Sequence, residues 1–360
     1  MIRINRIASK SLRRTLTVCA LSIAAAFSGI SPAQAQTQDR LAGLVQPIKS
    51  DKPFKIGVAV VHLQDDFYKG IVYGIEDEAK QVGAEVVQVS VAGAYGNVRE
   101  QFAQLEALKA LKVDVVAIAA ASFSGYDNAL KALKDAGIKV MAVGIPVGSK
   151  HVDFGVAQDD QDIGRALAKE ICGSGKLGKV LTIPGPAGAE WARLRYVGFT
   201  EQAKKCPGLD VIPGAFGGSL TLQYGLSQTS DLLLRQPDAK YVYTPVIALG
   251  MGAAQAIRQQ RKDVKVVSSS MVKESIPMVK DGRFLGVVSE PGIIMGRLAV
   301  QFAARQISGK PTPELKAADS NYPYAYFNVP PVLITPANAD KHPYGIYEIP
   351  PENWKLPAVR

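Results

Sequence analysis

Two acids, several aromatic rings and one arginine share a kind of location in this sequence: the carboxyl end of an apolar run, or the loop just after it. They are Asp65, Phe67 and Tyr68; Tyr95; Ser122 and Phe123; Trp191 and Arg193; Ser270; and Glu290. Ring faces together with a carboxylate hold a diffuse cation such as a methylated ammonium, at roughly 0.5–2 kcal/mol per ring. An arginine beside them takes an anionic or hydroxyl oxygen. Each residue alone also has a bland reading: Tyr95 packing a loop, Trp191 on the core face of a helix, Glu290 a solvated hinge acid. Ser270 follows Ser268 and Ser269 at a strand end, as small polar lining or simply as the end of the strand. The set gains weight because the carboxyl ends of strands in an open α/β sheet are where ligands bind.

Other chemistries are harder to assemble. The three histidines, His62, His151 and His342, lie far apart and lack metal-ligand spacing to each other or to cysteine, so no metal site is expected. No Gly-x-Ser-x-Gly elbow occurs, and no catalytic residue is assigned. Gly173-Ser174-Gly175-Lys176 precedes a strand instead of following one, with Leu177 where a phosphate loop needs Ser or Thr. Gly250-Met251-Gly252 has Gln255 at the third glycine position and no acid ending the next strand, which argues against a dinucleotide. No cofactor and no enzyme activity are expected.

The elements that carry the set alternate between strand and helix patterns. Ile56–Val61 is a continuous apolar run, as in a strand covered on both faces. A helix follows at once, capped by Asp65 or Asp66, with Phe67, Ile71, Ile75, Ala79 and Val82 at helical spacing toward the sheet. Tyr68 lies off that stripe, free to face the crevice. The alternation continues to Ser289, restarting near Asp153, and implies two doubly wound parallel-sheet lobes, an α/β fold. Residues 1–35 read as an export signal: Arg3, Arg6, Lys10, Arg13 and Arg14, an apolar stretch from Leu16 to Phe27, then Ala33-Gln34-Ala35. The general secretory route suits it better than the twin-arginine route. Loss of that leader halves the formal charge of +10, which with the lack of basic runs interleaved with aromatics argues against nucleic acid. Cys172 and Cys206 remain, and their pairing is open.

From Lys55 to Asp340 the chain resembles the type I periplasmic binding proteins of the ribose-binding-like group. Gln64-Asp65-Asp66-Phe67-Tyr68 resembles that group's Asn-Asn-Pro-Phe-Phe element, and Gly185 to Arg193, followed by Gly198-Phe199, its second-lobe motif with a ligand-gripping arginine. The resemblance implies a three-strand hinge crossed near Gln158, near Glu290 and around residue 320. The implied division is 1–35 signal peptide, 36–157 with 291–320 as one lobe, 158–290 with 321–345 as the other, and 346–360 as a tail. Three sugar-clamping positions differ: Gly144-Ile145, Val246-Ile247 and Ser270 stand where the group carries acids, Asn and Arg. Within the group, the TorT-like periplasmic sensor branch is similar at His62–Tyr68, Val72-Tyr73-Gly74, Ala92–Tyr95 with Asn97, and Met295–Leu298.

The expectation is therefore a non-enzymatic periplasmic solute-binding protein that closes on one small-molecule ligand. The resemblance to the sensor branch points to a methylated amine, N-oxide or betaine; the alternative is a sugar. The implied membrane partner is an ABC permease or a sensor histidine kinase.

Overall fold

The structure, a computed structural model, describes residues 40–320 and 322–356. The expected signal peptide lies outside the described residues. The first series of elements is β1 (Lys55–Val60), α1 (Asp66–Val82), β2 (Glu85–Val91), α2 (Val98–Ala110), β3 (Val115–Ile118), α3 (Asp127–Asp135), β4 (Lys139–Gly144) and β5 (Phe154–Ala157). The second is α4 (Asp160–Gly173), β6 (Lys179–Thr182), α5 (Glu190–Ala203), β7 (Asp210–Ile212), α6 (Leu222–Arg235), β8 (Tyr241–Tyr243), α7 (Ile247–Gln259), β9 (Lys265–Ser269), α8 (Ile276–Lys280) and β10 (Phe284–Ser289). The chain closes with α9 (Gly292–Ile307), β11 (Ala325–Asn328), β12 (Val332–Ile334) and α10 (Tyr344–Tyr347).

These strands make two six-stranded sheets, ordered β11-β5-β4-β3-β1-β2 and β12-β10-β9-β8-β6-β7. All neighbours are parallel except β12, which runs antiparallel to β10. Parallel strands need helical crossovers, and those helices cover both sheet faces, which is why β1 is buried from Ile56 to Val60. Each sheet carries apolar clusters that together pack its two faces. The protein is thus two parallel-sheet α/β lobes.

α1 shows how sequence fixes the frame. The Asp65 carboxylate accepts from Tyr68 N at 3.1 Å, and Gly83 ends the helix at φ 90°, a left-handed value that costs glycine little. Its inner stripe packs on the sheet, while Gly74 and Gly296 let α1 and α9 approach backbone to backbone. A Cβ at Gly296 would collide with the Ile71 carbonyl. α9 therefore belongs with the first sheet although it follows β10 in sequence.

The chain passes between the lobes at Gln158–Asp159, at Glu290–Pro291 and at Val329–Pro331. Gln158 Nε2 donates to Ser289 O at 3.1 Å, tying the first two crossings together. The third falls later than the expected position near residue 320. Residues 325–328, expected in the second lobe, form β11 and pair with β5 at the edge of the first sheet. The tail then returns: His342 and Ser289 both bond the buried Glu348, and Trp354 Nε1 donates to Glu76 of α1 at 2.8 Å. Cys172 and Cys206 form a disulfide with a Cα–Cα distance of 5.9 Å, joining the end of α4 to the turn after α5.

Candidate functional site

A cleft of about 590 Å³ opens where the loops after β2, β3, β4 and β6 meet the crossing segments. Of the ten residues singled out from sequence, Tyr95, Ser122, Phe123, Trp191 and Arg193 line it. The other five do not. Asp65 is occupied as the α1 cap, with His62 Nε2 at 3.9 Å. Phe67 packs in the core, and Tyr68, expected to face the crevice, is only 1% exposed. Its hydroxyl is held 2.8 Å from that of Tyr95, so it backs the lining ring instead of reaching the cleft. Ser270 donates to Glu290 Oε1 at 3.0 Å, and both stand behind the site.

The reason Glu290 is withdrawn is an arginine that sequence reasoning missed. Arg195 is 4% exposed; its Nε donates to Asp160 Oδ1 at 2.8 Å, and one terminal nitrogen reaches Glu290 Oε1 at 2.5 Å, Ser269 Oγ at 2.7 Å and Pro245 O at 3.0 Å. Its guanidinium lies 4.9 Å from the Trp191 ring centre. Arg193, two residues earlier on α5, turns instead to the rim and pairs with Glu190 at 2.8 and 2.6 Å. That pairing holds the Glu190 carboxyl below its usual range. Trp191, Arg195 and Phe199 recur every four residues along the buried face of α5, the one sequence signal that marks Arg195 as the inward arginine.

Burial pushes the Asp160 carboxyl up to about 6, although the Arg195 guanidinium pulls it down. Burial likewise raises Asp65, opposed by His62, and lowers His62, opposed by Asp65. The three carboxylates lining the cleft are all engaged. Asp159 accepts from the α4 amides of Gln161 and Asp162, Asp160 holds Arg195, and Glu190 holds Arg193. The expected acid-and-aromatic clamp for a cation therefore has Asp65 and Glu290 withdrawn from it, and of the lining acids Asp160 and Glu190 are already paired with arginines. Two side-chain atoms of lining residues are buried with no hydrogen-bond partner among the described residues: the Trp191 indole N–H and the Asn328 carboxamide oxygen. Tyr95 and Trp191, from opposite lobes, meet in a tilted ring contact in the cleft wall, ring centres 6.3 Å apart. Among the described residues no cluster of three or more His, Cys, Asp or Glu could hold a metal.

The family model for the periplasmic binding protein domain matches residues 56–311, most of both lobes. This chain belongs to that family. A solved substrate-binding protein of a sugar ABC transport system from Bordetella parapertussis 12822 is 51% identical, covers 88% of this chain and 100% of its own, and superposes with a TM-score of 0.84. The ribose import binding protein RbsB of Bacillus subtilis is 27% identical over 260 residues, 72% of this chain and 83% of that protein. The periplasmic protein TorT of Escherichia coli is 25% identical over 299 residues, 82% of each. As a periplasmic binding protein, the chain is of the solute-binding type, with two lobes built to enclose a small molecule.

Proposed function

We propose that this is an exported periplasmic solute-binding protein whose cleft takes a neutral, hydroxyl-bearing ligand of the sugar class for delivery to a membrane ABC permease, without altering it. The observation that carries the reading is the pairing of Asp160 and Glu190 with arginines, beside an indole N–H and a carboxamide oxygen without protein partners among the described residues. A cation entering that cleft would meet two of its three lining acids, Asp160 and Glu190, already paired with arginines. A hydroxyl supplies both the acceptor for Trp191 and the donor for Asn328. Tyr95 and Trp191 offer ring faces to the C–H face of a sugar ring. The names of the Bordetella relative, from a sugar ABC transport system, and of the Bacillus relative, a ribose import binding protein, support the same class and favour a permease over a sensor kinase. We assign Tyr95, Ser122, Phe123, Trp191 and Asn328 to ligand contact, with Arg195 positioning Trp191. The leader at residues 1–35 and the family's description support a periplasmic location. Among the described residues no helix is long and apolar enough to cross a membrane.

Thermal shift with sugars and sugar derivatives, set against trimethylamine N-oxide and glycine betaine, tests this. A ligand that binds the folded state raises the melting temperature, and a binding protein returns it unchanged. Trp191→Phe keeps the ring and removes the N–H, so affinity for the best sugar-class ligand should fall about tenfold, equivalent to ~1.4 kcal/mol. Shifts from the methylated amines with none from any sugar or derivative would reject the proposal.

A further inference from the structure

The cleft has chemically different ends. At the crossings its lining is polar, with Asp159 and Gln161 at the start of α4 and Asn328 at the end of β11, while Ser122 is the hydroxyl on the loop after β3. Phe123 sits on the loop after β3, two strands inward from β5 in the order β11-β5-β4-β3, with Ile145 and Pro146 after β4 and Pro186 and Ala187 after β6. That second group offers carbon surface. The charged pair beside it, Glu190 with Arg193, is closed on itself.

Phe123 is also held in place. Its carbonyl accepts from Gly148 N at 2.6 Å, and its ring covers Gly148 so closely that a Cβ there would lie 2.7 Å from Cε1. Yet the residue stays 39% exposed. An aromatic ring packed on Gly148 yet still exposed, in a cleft that two prolines also line, suits another flat group. A free sugar has hydroxyls all round its ring. Those pressed against Phe123, Pro146 and Pro186 would lose water without gaining partners from those side chains. A cleft of about 590 Å³ also lies in the range that engulfs drug-sized ligands.

Resting on the sugar-class reading above, we infer that the ligand is a sugar ring bearing a flat aromatic substituent, with its hydroxyls toward Trp191 and Asn328 and the face of its substituent against Phe123. Aryl glycosides and nucleosides are two sources of that chemistry.

Calorimetric titration with matched pairs decides it: D-glucose against phenyl β-D-glucopyranoside, and D-ribose against adenosine. In at least one pair the substituted member should bind tenfold or more tightly than its free sugar, and the pair that responds identifies the source. Phe123→Ala should then reduce that ratio at least fivefold, with the ligand-free melting temperature showing that the variant folds. Free sugars binding as tightly as their partners would overturn the substituent while leaving the sugar-class reading intact. No binding by any of the four would overturn the substituent, with the sugar-class reading then resting on the wider screen. A preference that survives Phe123→Ala would overturn the placement against Phe123.

Discussion

Replacing Arg195 with methionine keeps an unbranched apolar stem in the α5–sheet interface and removes one buried positive charge. Five interactions go with it: Asp160, Glu290, Ser269, the Pro245 carbonyl and the face of Trp191. Two carboxylates are left buried without a counter-charge, and breaking a buried pair in that way costs about 3–5 kcal/mol. At about 2–4 °C per kcal/mol for a chain of this class, the melting temperature should fall by roughly 6–20 °C. Arg193→Ala is the internal control. Arg193 is about half exposed with one carboxylate partner, a pair worth at most ~1 kcal/mol, so its melting temperature should move by no more than ~4 °C. Scanning calorimetry on both variants at neutral pH measures the difference. The Arg195→Met deficit should also shrink as pH falls, because the buried Asp160 carboxyl relieves its desolvation by taking up a proton. Equal shifts for the two variants, or a deficit that grows on acidification, would refute the assignment of Arg195 as the buried counter-charge.

Other outcomes follow from the same geometry. Reducing the Cys172–Cys206 bridge, or replacing both with serine, should cost about 3–4 kcal/mol by loop entropy at a sequence separation of 34, read as a lower urea midpoint; an unchanged midpoint would mean that the bridge does not constrain the unfolded chain. Asp160 holds its proton up to about 6 in the fold, against about 3.9 when unfolded. Between those values the native state binds more protons, so this group's contribution to stability falls as pH rises. Asp160→Asn should flatten the stability profile from pH 4 to 6 by ~1–3 kcal/mol relative to the parent, and parallel profiles would reject the shift. Trp354→Ala removes the bond to Glu76 and the edge contact with Tyr73; limited proteolysis should then cut the tail after Tyr347 several-fold faster, and unchanged cleavage would show that the tail is anchored elsewhere.

Legibility in the sequence tracks how local the determining signal is. β1 and α1 are readable because a buried strand in a parallel sheet is a continuous apolar run and the helix after it repeats at 3.6 residues. β5 and β11 escape because each is four residues long: Phe154-Gly-Val-Ala includes a glycine, and Ala325-Tyr-Phe-Asn sits in a Pro- and Tyr-rich stretch. Only their pairing at the sheet edge makes them strands, and pairing partners 171 residues apart leave no local trace. Missing β11 displaced the third crossing and hid Asn328. Arg193 and Arg195 show the limit on a smaller scale. Two residues along a helix are about 200° apart, so one arginine faces the rim and the other the interior, and the buried partners that decide between them come from α4, the loop after β8, β9 and the second crossing.

The proposed ligand class turns on pairing, which composition cannot display. Asp65 and Glu290 sit beside aromatics in sequence order or across the expected hinge, and unpaired they would have made a cation site. In the fold Asp65 is used by the α1 amides and Glu290 by Arg195 and Ser270. The same interactions that remove the acids from the cleft give its floor a fixed shape, since Arg195 stacks on Trp191 while anchored at both sides. A charged ligand would have to compete with those buried pairs, at several kcal/mol for each one broken. A neutral ligand competes with none, and the unpaired indole N–H and carboxamide oxygen favour the one that brings a hydroxyl.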